Sequence, residues 1–286
     1  MLPILETEYN DYAIDYNKWN GPHPFGLSGC FRIRNDAEFM VASILSHLPF
    51  LDEVVIALQP SEDNSREIAY KLAQYNPRIR VYEYPVIPHF IDHPAFKTDP
   101  ENSIYSFVHL SNWALSKCQF SWIAKTEGDV ICLPTFNNIK NKIYARPDEM
   151  HYYGRVILNV AGRNIDQVSQ ENPRNGGWDE AVFNNHQKWS FIRNDRWEQI
   201  DVDWSRATCE GWSALHTKRC KADKAGGWNG EHYIPYERDQ VRRAVEVYND
   251  THGGYPGPDD PLGADVLFKP GMRNYIDKLL ESGRLI

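Results

Sequence analysis

Cysteine is scarce in this 286-residue sequence and follows no recognisable pattern. The five cysteines form no C-x-x-C pair, and they are Cys30, Cys118, Cys132, Cys209 and Cys220. Zinc sites and redox dithiols usually place two cysteines close together, and secreted disulfide frameworks use an even number. The sequence therefore predicts scattered thiols in a reducing compartment, and we expect a cytoplasmic location.

Long apolar segments are missing as well. No stretch reaches the roughly 18 apolar residues that a membrane-spanning helix requires. The N-terminal sequence MLPILETEYNDY lacks the basic region and apolar run of a secretory signal. We therefore expect neither a signal peptide nor a spanning helix, while contact with a membrane surface stays open.

Positive charge is in deficit, with a formal net charge of -8. A nucleic-acid-binding protein normally carries a basic face, so this balance argues against that class. No G-x-x-x-x-G-K-[ST] string occurs, which excludes a P-loop enzyme. A nucleotide diphosphate is still compatible with the composition, because a metal and a few local basic residues can supply the charge that it needs.

Apolar and polar segments alternate through the first half of the chain as in a doubly wound α/β sheet. Strands are predicted at 27–33, 53–58, 79–84 and 120–125, with amphipathic helices between them. Asn35 and Glu38 have the spacing of a capping box for the first of these helices. Because ligands of such sheets sit beyond the carboxyl ends of the strands, polar residues after each strand are the candidates for a site.

The second half of the chain is less regular. Strands are predicted at 152–160, 191–197 and 212–216, a loop over a cleft at 162–180, and helices near 238–248 and 272–282. We accordingly divide the chain into a core, residues 1–220, and a helical and loop extension packed on it, residues 221–286.

The sharpest chemical signal is the string Glu127-Gly128-Asp129 directly after the fourth strand. Two carboxylates at this spacing offer hard oxygen ligands, which suit Mn²⁺ or Mg²⁺. Glycine between them permits a close approach of the backbone to a ligand. The alternative is a solvated turn, since the tripeptide is common in loops.

Several segments in this order resemble the family 2-type glycosyltransferases of the GT-A fold. The similar segments are LSGCFRIRNDAEFMVASILSHL, DEVVIALQPSEDNS and SNWALSKCQFSWIAKTEGD, and together they cover about residues 27–135. The resemblance implies an α/β GT-A fold with a doubly wound, mostly parallel sheet. It also implies a nucleotide-diphosphate sugar donor and a Mn²⁺ or Mg²⁺ cofactor.

The resemblance also assigns roles to individual residues. Glu127 and Asp129 take the places of the family's D-x-D metal motif, with Glu in the first place instead of Asp. His216 takes the place of a third metal ligand or diphosphate contact. The remaining donor-site candidates are placed near the base and ribose or near the phosphates, and they are Arg32, Arg34, Asp63, Lys218 and Arg219. Asp63 as a turn or cap residue, Arg34 as a surface charge and His216 as a structural histidine are the alternatives.

The catalytic base is less well defined by the sequence. The segment GGWDEAVFN, residues 176–184, is similar to the Gly-Gly-Phe-Asp-Glu segment of the family, which makes Asp179 and Glu180 the candidates. The family's following Glu-Asp pair is absent, because this chain has His186-Gln187-Lys188 there. His89 and His93 are four residues apart, but in a loop that spacing does not direct both rings to one side, and we discount a zinc site.

The resemblance predicts a sugar transfer to a hydroxyl of a carbohydrate or glycolipid acceptor, in surface polysaccharide or glycan synthesis. Hexosyl or deoxyhexosyl transfer with inversion is expected, and a double-displacement route stays open as the alternative. The sequence is compatible both with a whole enzyme and with one module of a longer one. The alternative from another class is an inactive carbohydrate-binding or scaffold protein on the same fold. A nucleotidylyltransferase is disfavoured, because the segment after the first strand, Phe31 to Asn35, contains no glycine-rich loop.

Overall fold

The structure is a computed structural model, and it describes residues 11–90, 93–162, 167–170, 174–175, 180–194, 198–221, 232–235, 277–278 and 281. The α-helices bounded within these residues are α1 Tyr16–Trp19, α2 Met40–His47, α3 Ser65–Tyr75, α4 Phe107–Ser116 and α5 Asn137–Ala145. The strands are β1 Leu27–Ile33, β2 Glu53–Leu58, β3 Ile79–Glu83, β4 Trp122–Glu127, β5 Val130–Cys132, β6 Tyr152–Ala161, β7 Gln167–Ser169, β8 Arg174–Asn175, β9 Ala181–Asn184, β10 Phe191–Arg193, β11 Glu198–Ile200, β12 Ala207–Arg219 and β13 Tyr233–Pro235.

Four parallel strands form the first half of the main sheet, in the order β3-β2-β1-β4. Their register brings the carboxyl ends together: Arg32 lies opposite Glu127, and Ile33 lies opposite Leu58. Beyond β4 the sheet continues with antiparallel pairings to β9 and then β6. The predicted α/β class with a mostly parallel core sheet is confirmed.

Helices cover both faces of the parallel strands. Along β2, Val54 and Ile56 belong to the apolar cluster that includes residues of α2, α3 and α5. Val55 and Ala57 belong to the cluster that includes residues of α4. Because successive side chains of a strand point to opposite faces, a continuous run of apolar residues is what a strand buried on both sides requires. The sheet is therefore doubly wound, as the alternating pattern predicts.

The long strand β12 ties the second half of the chain to the end of β4. It pairs in parallel with β6, through several register shifts, and antiparallel with β5. The pairing with β5 places His216 opposite Val130, one residue after Asp129. Thr217 then fixes the backbone of Asp129, since its N–H and its hydroxyl both donate to the Asp129 carbonyl, at 2.8 and 2.7 Å.

The predicted capping box at Asn35 and Glu38 is wrong. Asn35 adopts a positive φ of 54°, and helix α2 begins only at Met40. The amide oxygen of Asn35 accepts instead from the backbone N–H of Glu62, at 2.8 Å. Asparagine tolerates this left-handed conformation better than most residues, so it ends β1 with a tight turn instead of starting a helix.

Other boundaries shift by a few residues. Strand β4 extends through residue 127, α4 begins three residues later than predicted, and β12 is far longer than the predicted strand 212–216. Of the predicted strand 191–197, residues 191–193 form β10, and residues 195–197 lie outside the described residues. Two short strands, β7 and β8, lie within the predicted loop 162–180. The predicted helix 238–248 lies outside the described residues. Of the helix 272–282, residues 277, 278 and 281 are described, and they are helical.

The division at residue 220 stays a prediction. Strand β13, from the predicted extension, pairs antiparallel with β7 and so joins the main sheet. Among the described residues, no helix is both long and apolar enough to cross a membrane.

Truncating the centre of β2 is expected to destabilise the fold strongly. Ile56 is fully buried, so Ile56→Ala should lower the free energy of unfolding by about 2–5 kcal/mol through lost burial and a residual cavity. Ile87, which is 39% exposed, provides a matched control, and Ile87→Ala should change that free energy by no more than about 0.5 kcal/mol. Urea unfolding of both variants measures the difference, and equal effects would contradict the packing described here.

Candidate metal centre

A tight turn at the carboxyl edge of the sheet carries the two predicted carboxylates. Glu127 is the last residue of β4, and Asp129 immediately precedes β5. Gly128 lies between them, where an added Cβ would come within 2.6 Å of Ile33 and 2.7 Å of Asp36. Glycine is therefore needed here to let the turn pack against the residues that follow β1.

His216 completes a compact group with these carboxylates. One ligand atom from each of Glu127, Asp129 and His216 lies within 4.8 Å of the other two. The side chains of Asp129 and His216 are 6% and 8% exposed, whereas that of Glu127 is 38% exposed, so the group is open on one side. Two carboxylates and one imidazole form a donor set suited to Mn²⁺ or Mg²⁺. It is the one group of this kind found among the described residues.

The orientation of the His216 ring is set by Asn159 on β6. Nδ1 of His216 lies 2.9 Å from Oδ1 of Asn159, and an amide oxygen can only accept. In the neutral imidazole the proton therefore resides on Nδ1, which leaves the lone pair on Nε2, 3.5 Å from Oδ1 of Asp129. This is the arrangement by which a second-layer acceptor prepares histidine for metal binding.

A cation is already accommodated at this group. The ammonium of Lys221 lies 2.9 Å from Oδ2 of Asp129 and 2.6 Å from Oδ1 of Asp36. Both distances are those of charge-assisted hydrogen bonds. The carboxylates are therefore arranged to bind positive charge, while the fit to a divalent ion rests on the donor set of Glu127, Asp129 and His216.

Glu127 is held as an anion by two cations of its own. Its Oε1 lies 3.3 Å from Arg32 and 3.5 Å from Lys125. Desolvation by itself would raise the pKa of Glu127, but Lys125 and Arg32 outweigh it and lower that pKa to about 2. Arg32 is fixed in turn by Glu198 at 2.8 Å, and its guanidinium lies 4.8 Å from the ring centre of Phe107.

The pKa values of Asp129 and Asp36 shift in opposite directions, although the two carboxylates share the same surroundings. Desolvation would raise the pKa of Asp129, but Lys221 and the His216 imidazolium, the form of the ring that carries both protons, hold it below its usual range. For Asp36, desolvation and the neighbouring charge of Asp129 dominate, and they raise its pKa to about 6 despite Lys221. Asp129 is therefore the permanent anion of the pair.

Glu180, the described one of the two predicted bases, lies behind Glu127. It is 2% exposed, and its carboxylate oxygens lie 3.7 Å from Lys125 and 3.6 Å from Arg155. Desolvation raises the pKa of Glu180 to about 7, against the influence of those two cations. Lys125 is thus shared between Glu127 and Glu180, and it links the open group to the interior.

The other predicted residues lie at varying distances from this group. Asp63 accepts from the backbone N–H groups of Ala37 and Ser65, both at 2.9 Å, so its hydrogen bonds are those of a cap. The guanidinium of Arg34 lies 5.7 Å from the ring centre of Phe90. Lys218 and Arg219 are the last residues of β12, beyond His216. Asp179 lies outside the described residues.

Sequence reasoning missed four residues around the site: Asp36, Lys125, Asn159 and Lys221. Lys125 was assigned to a strand without a role, although a lysine inside a buried strand is itself unusual. Asp36 had a signal in its position three residues after the end of β1. Lys221 and Asn159 had none, since each reaches the site through pairing that joins distant parts of the chain.

Neither a protein-family model nor a curated protein matches this chain. Among solved structures, it is similar to TarS from S. aureus, with a TM-score of 0.42 and 10% identity over 85% of this chain and 42% of that chain. It is also similar to TarS 1–349 in complex with UDP-GlcNAc, with a TM-score of 0.42 and 10% identity over 90% of this chain and 70% of that one. A third similar structure is glucosyl-3-phosphoglycerate synthase from Mycobacterium tuberculosis in complex with Mn²⁺, UDP and glucosyl-3-phosphoglycerate, with a TM-score of 0.42 and 12% identity over 80% and 81% of the two chains.

These likenesses are distant, with TM-scores of 0.42 and identities of 10% to 12%. The chain spans 42% of the first TarS chain named above. What these other proteins bind is a property of those proteins. The strand order described above, with its parallel core and antiparallel continuation, is consistent with the GT-A fold that the sequence predicts.

Replacing Glu180 by glutamine should remove a pH dependence of stability. Because the native pKa of about 7 exceeds the ordinary value of 4.5, the native state keeps a proton that the unfolded chain releases. The wild-type free energy of unfolding should therefore fall, relative to Glu180→Gln, as the pH rises from about 4.5 to about 7, by roughly 3 kcal/mol in all. Urea unfolding of both proteins at a series of pH values measures this, and a constant difference would contradict it.

Removing the acceptor for His216 should weaken metal binding without removing a ligand. Asn159→Ala is expected to lower the affinity for Mn²⁺ by about 10- to 100-fold, because the imidazole loses its fixed tautomer and orientation. Electron paramagnetic resonance of free Mn²⁺ measures the affinity. Asn138→Ala, at an exposed position of α5, is the matched control and should bind as the wild type does.

Proposed function

We propose that this protein is a glycosyltransferase that moves a sugar from a nucleotide diphosphate to a hydroxyl group of an acceptor. The observation that supports this best is the group of Glu127, Asp129 and His216, whose ligand atoms lie within 4.8 Å at the carboxyl edge of the sheet. Ligands of open α/β sheets bind at this edge. The group is open on one side, so a metal held there would have positions left for the oxygens of a negatively charged substrate such as a diphosphate.

The three side chains would hold Mn²⁺ or Mg²⁺, which when bound neutralises charge developing on a diphosphate leaving group. Asp129 and His216 are buried and fixed, while the more exposed Glu127 faces the opening. Arg32 and Lys125 keep Glu127 ionised, and a carboxylate must be ionised to bind a metal. Lys218 and Arg219, at the end of β12, are assigned to the phosphates.

The nucleoside would lie at the ends of β1 and β2. Arg34 and Gln59 follow directly on Ile33 and Leu58, which are paired in register. Nε of Arg34 and Oε1 of Gln59 are buried and have no hydrogen-bond partner within the described part of the chain, which is costly unless a ligand supplies one. These two atoms support a polar base or ribose between them, with Asp63 holding the adjoining turn.

The base that deprotonates the acceptor is assigned to Asp179 or Glu180, and inversion at a hexosyl or deoxyhexosyl centre is the expected outcome. A general base must come within hydrogen-bond reach of the proton that it removes. Glu180 is enclosed by Lys125 and Arg155, so Asp179 fits this role better. A carbohydrate or glycolipid acceptor, a role in surface polysaccharide or glycan synthesis, and a cytoplasmic location belong to the same proposal.

The enclosure of Glu180 also favours a second candidate, an inactive carbohydrate-binding or scaffold protein. A protein of that class would bind a nucleotide or glycan without turning over a donor. Metal-dependent hydrolysis of a nucleotide sugar distinguishes the two, because water can replace the acceptor only in an active enzyme.

Loss of the central carboxylate should abolish most activity and leave the fold intact. Asp129→Ala is expected to lower turnover by about 10²- to 10³-fold, as expected when one electrostatic contact to the transition state is lost. Asp201→Ala, at an exposed position, is the control and should keep wild-type turnover. Near-normal turnover of Asp129→Ala would refute the metal assignment.

Thermal unfolding with nucleoside diphosphates, with and without Mn²⁺, tests the donor site directly. A ligand at a hundredfold excess over its dissociation constant should stabilise the native state by about 2.7 kcal/mol. We expect a shift that requires Mn²⁺, favours one base and disappears in Asp129→Ala. No shift with any of the nucleotides would contradict the proposal.

A further inference from the structure

Lys221 occupies an unusual position for a lysine. Its side chain is 14% exposed, and its ammonium lies between two carboxylates, at 2.6 Å from Asp36 and 2.9 Å from Asp129. The turn that ends β12, in which the Cys220 N–H donates to the Thr217 carbonyl at 2.8 Å, carries the chain back toward Asp129. The same strand therefore delivers both His216 and Lys221 to one carboxylate.

The two oxygens of Asp129 are divided between these neighbours. Nε2 of His216 lies 3.5 Å from Oδ1 of Asp129, and Nζ of Lys221 lies 2.9 Å from Oδ2. Asp36, the other partner of Lys221, is fixed by its own contacts, because its N–H donates to Ser65 at 2.9 Å and its Oδ2 accepts from the Arg34 N–H at 3.2 Å. Lys221 is thus held from both sides by anchored anions.

A divalent ion at Asp129 would meet a positive charge already in place. An ion that takes Oδ2 must displace the ammonium, and one that takes Oδ1 binds beside it. Two like charges this close repel each other strongly where water is largely excluded. A bound diphosphate relieves that conflict, because its oxygens provide the ammonium with a new partner.

We propose that Lys221 is the built-in counter-cation of this site: it joins Asp36 to Asp129 before metal arrives, competes with the metal for Asp129, and then binds the diphosphate of the donor. The inference rests on the proposed function, since it concerns the same metal and nucleotide. It adds a donor-binding residue and makes binding of metal and nucleotide mutually supportive.

The test compares Mn²⁺ affinity of the nucleotide-free protein, by electron paramagnetic resonance of free Mn²⁺, in Lys221→Met, Lys221→Gln and the wild type. Both variants remove the competing charge, so we expect tighter Mn²⁺ binding by roughly 5- to 150-fold, the usual range for coupled binding events. Lys142→Met, which removes an exposed lysine paired with Glu210, is the matched control and should not change the affinity.

The outcomes separate this inference from the proposed function. If the wild type binds Mn²⁺ and the Lys221 variants bind it equally or more weakly, competition by Lys221 is refuted and the metal site stands. If none of the proteins binds Mn²⁺, the metal site itself is refuted, and this inference is refuted with it.

A second measurement tests the anion-binding role. At saturating Mn²⁺, the affinity for the nucleoside diphosphates UDP, GDP, CDP and ADP is titrated by calorimetry. Lys221→Met should weaken the tightest of them by about 10- to 100-fold, the value of a hydrogen bond to a charged group. Unchanged nucleotide affinity would overturn that role. Because Asp36 and Asp129 repel each other once Lys221 is gone, Mn²⁺ should also raise the melting temperature of Lys221→Met more than that of the wild type.

Discussion

A carboxylate can be buried only if a cation or a set of hydrogen bonds compensates for the water that it loses, and the site is organised by this constraint. Acidic and basic side chains therefore alternate through the interior in contacts of 2.8 to 3.7 Å, in the order Glu198, Arg32, Glu127, Lys125, Glu180 and Arg155. Each member is fixed by two neighbours of opposite charge or, at the ends, by one. Asp36, Lys221 and Asp129 repeat the principle beside this series. The series meets solvent at Glu127, whose side chain is 38% exposed.

The sheet supplies the positions that this alternation needs. Parallel strands end along one edge, so residues from β1 and β4 that are 95 positions apart in sequence become neighbours, as Arg32 and Glu127 do. Strand β12 reaches the same edge from the second half of the chain and brings a histidine and a lysine. Because its backbone is bonded to the Asp129 carbonyl through Thr217, the candidate metal ligands from both halves share one rigid frame. A site built on strands in this way holds its geometry without a ligand.

Local patterns explain what the sequence could predict. Strands β1 and β2 are continuous apolar runs, and their bounds agree with the prediction because burial on both faces leaves no other pattern. Glu127 and Asp129 could be identified because they stand where a parallel strand ends. Lys221 could not, since its partner Asp36 lies 185 positions away and neither residue belongs to a periodic pattern. The left-handed turn at Asn35 likewise depends on Glu62, a contact that no local rule reveals. The role of Asp179 remains a prediction.

Gly128 has a consequence for the range of sequences that this site allows. Any side chain at that position would push against the carboxylate of Asp36, which approaches to within 2.7 Å of where a Cβ would stand. A larger residue at 128 therefore requires a shift of the Ile33 side chain and a smaller or displaced residue at 36, and with the latter the loss of the anion that anchors Lys221. Distant relatives of this chain should thus be sorted by whether positions 36 and 128 change together, since the acidic pair at 127 and 129 is too common in loops to distinguish them alone.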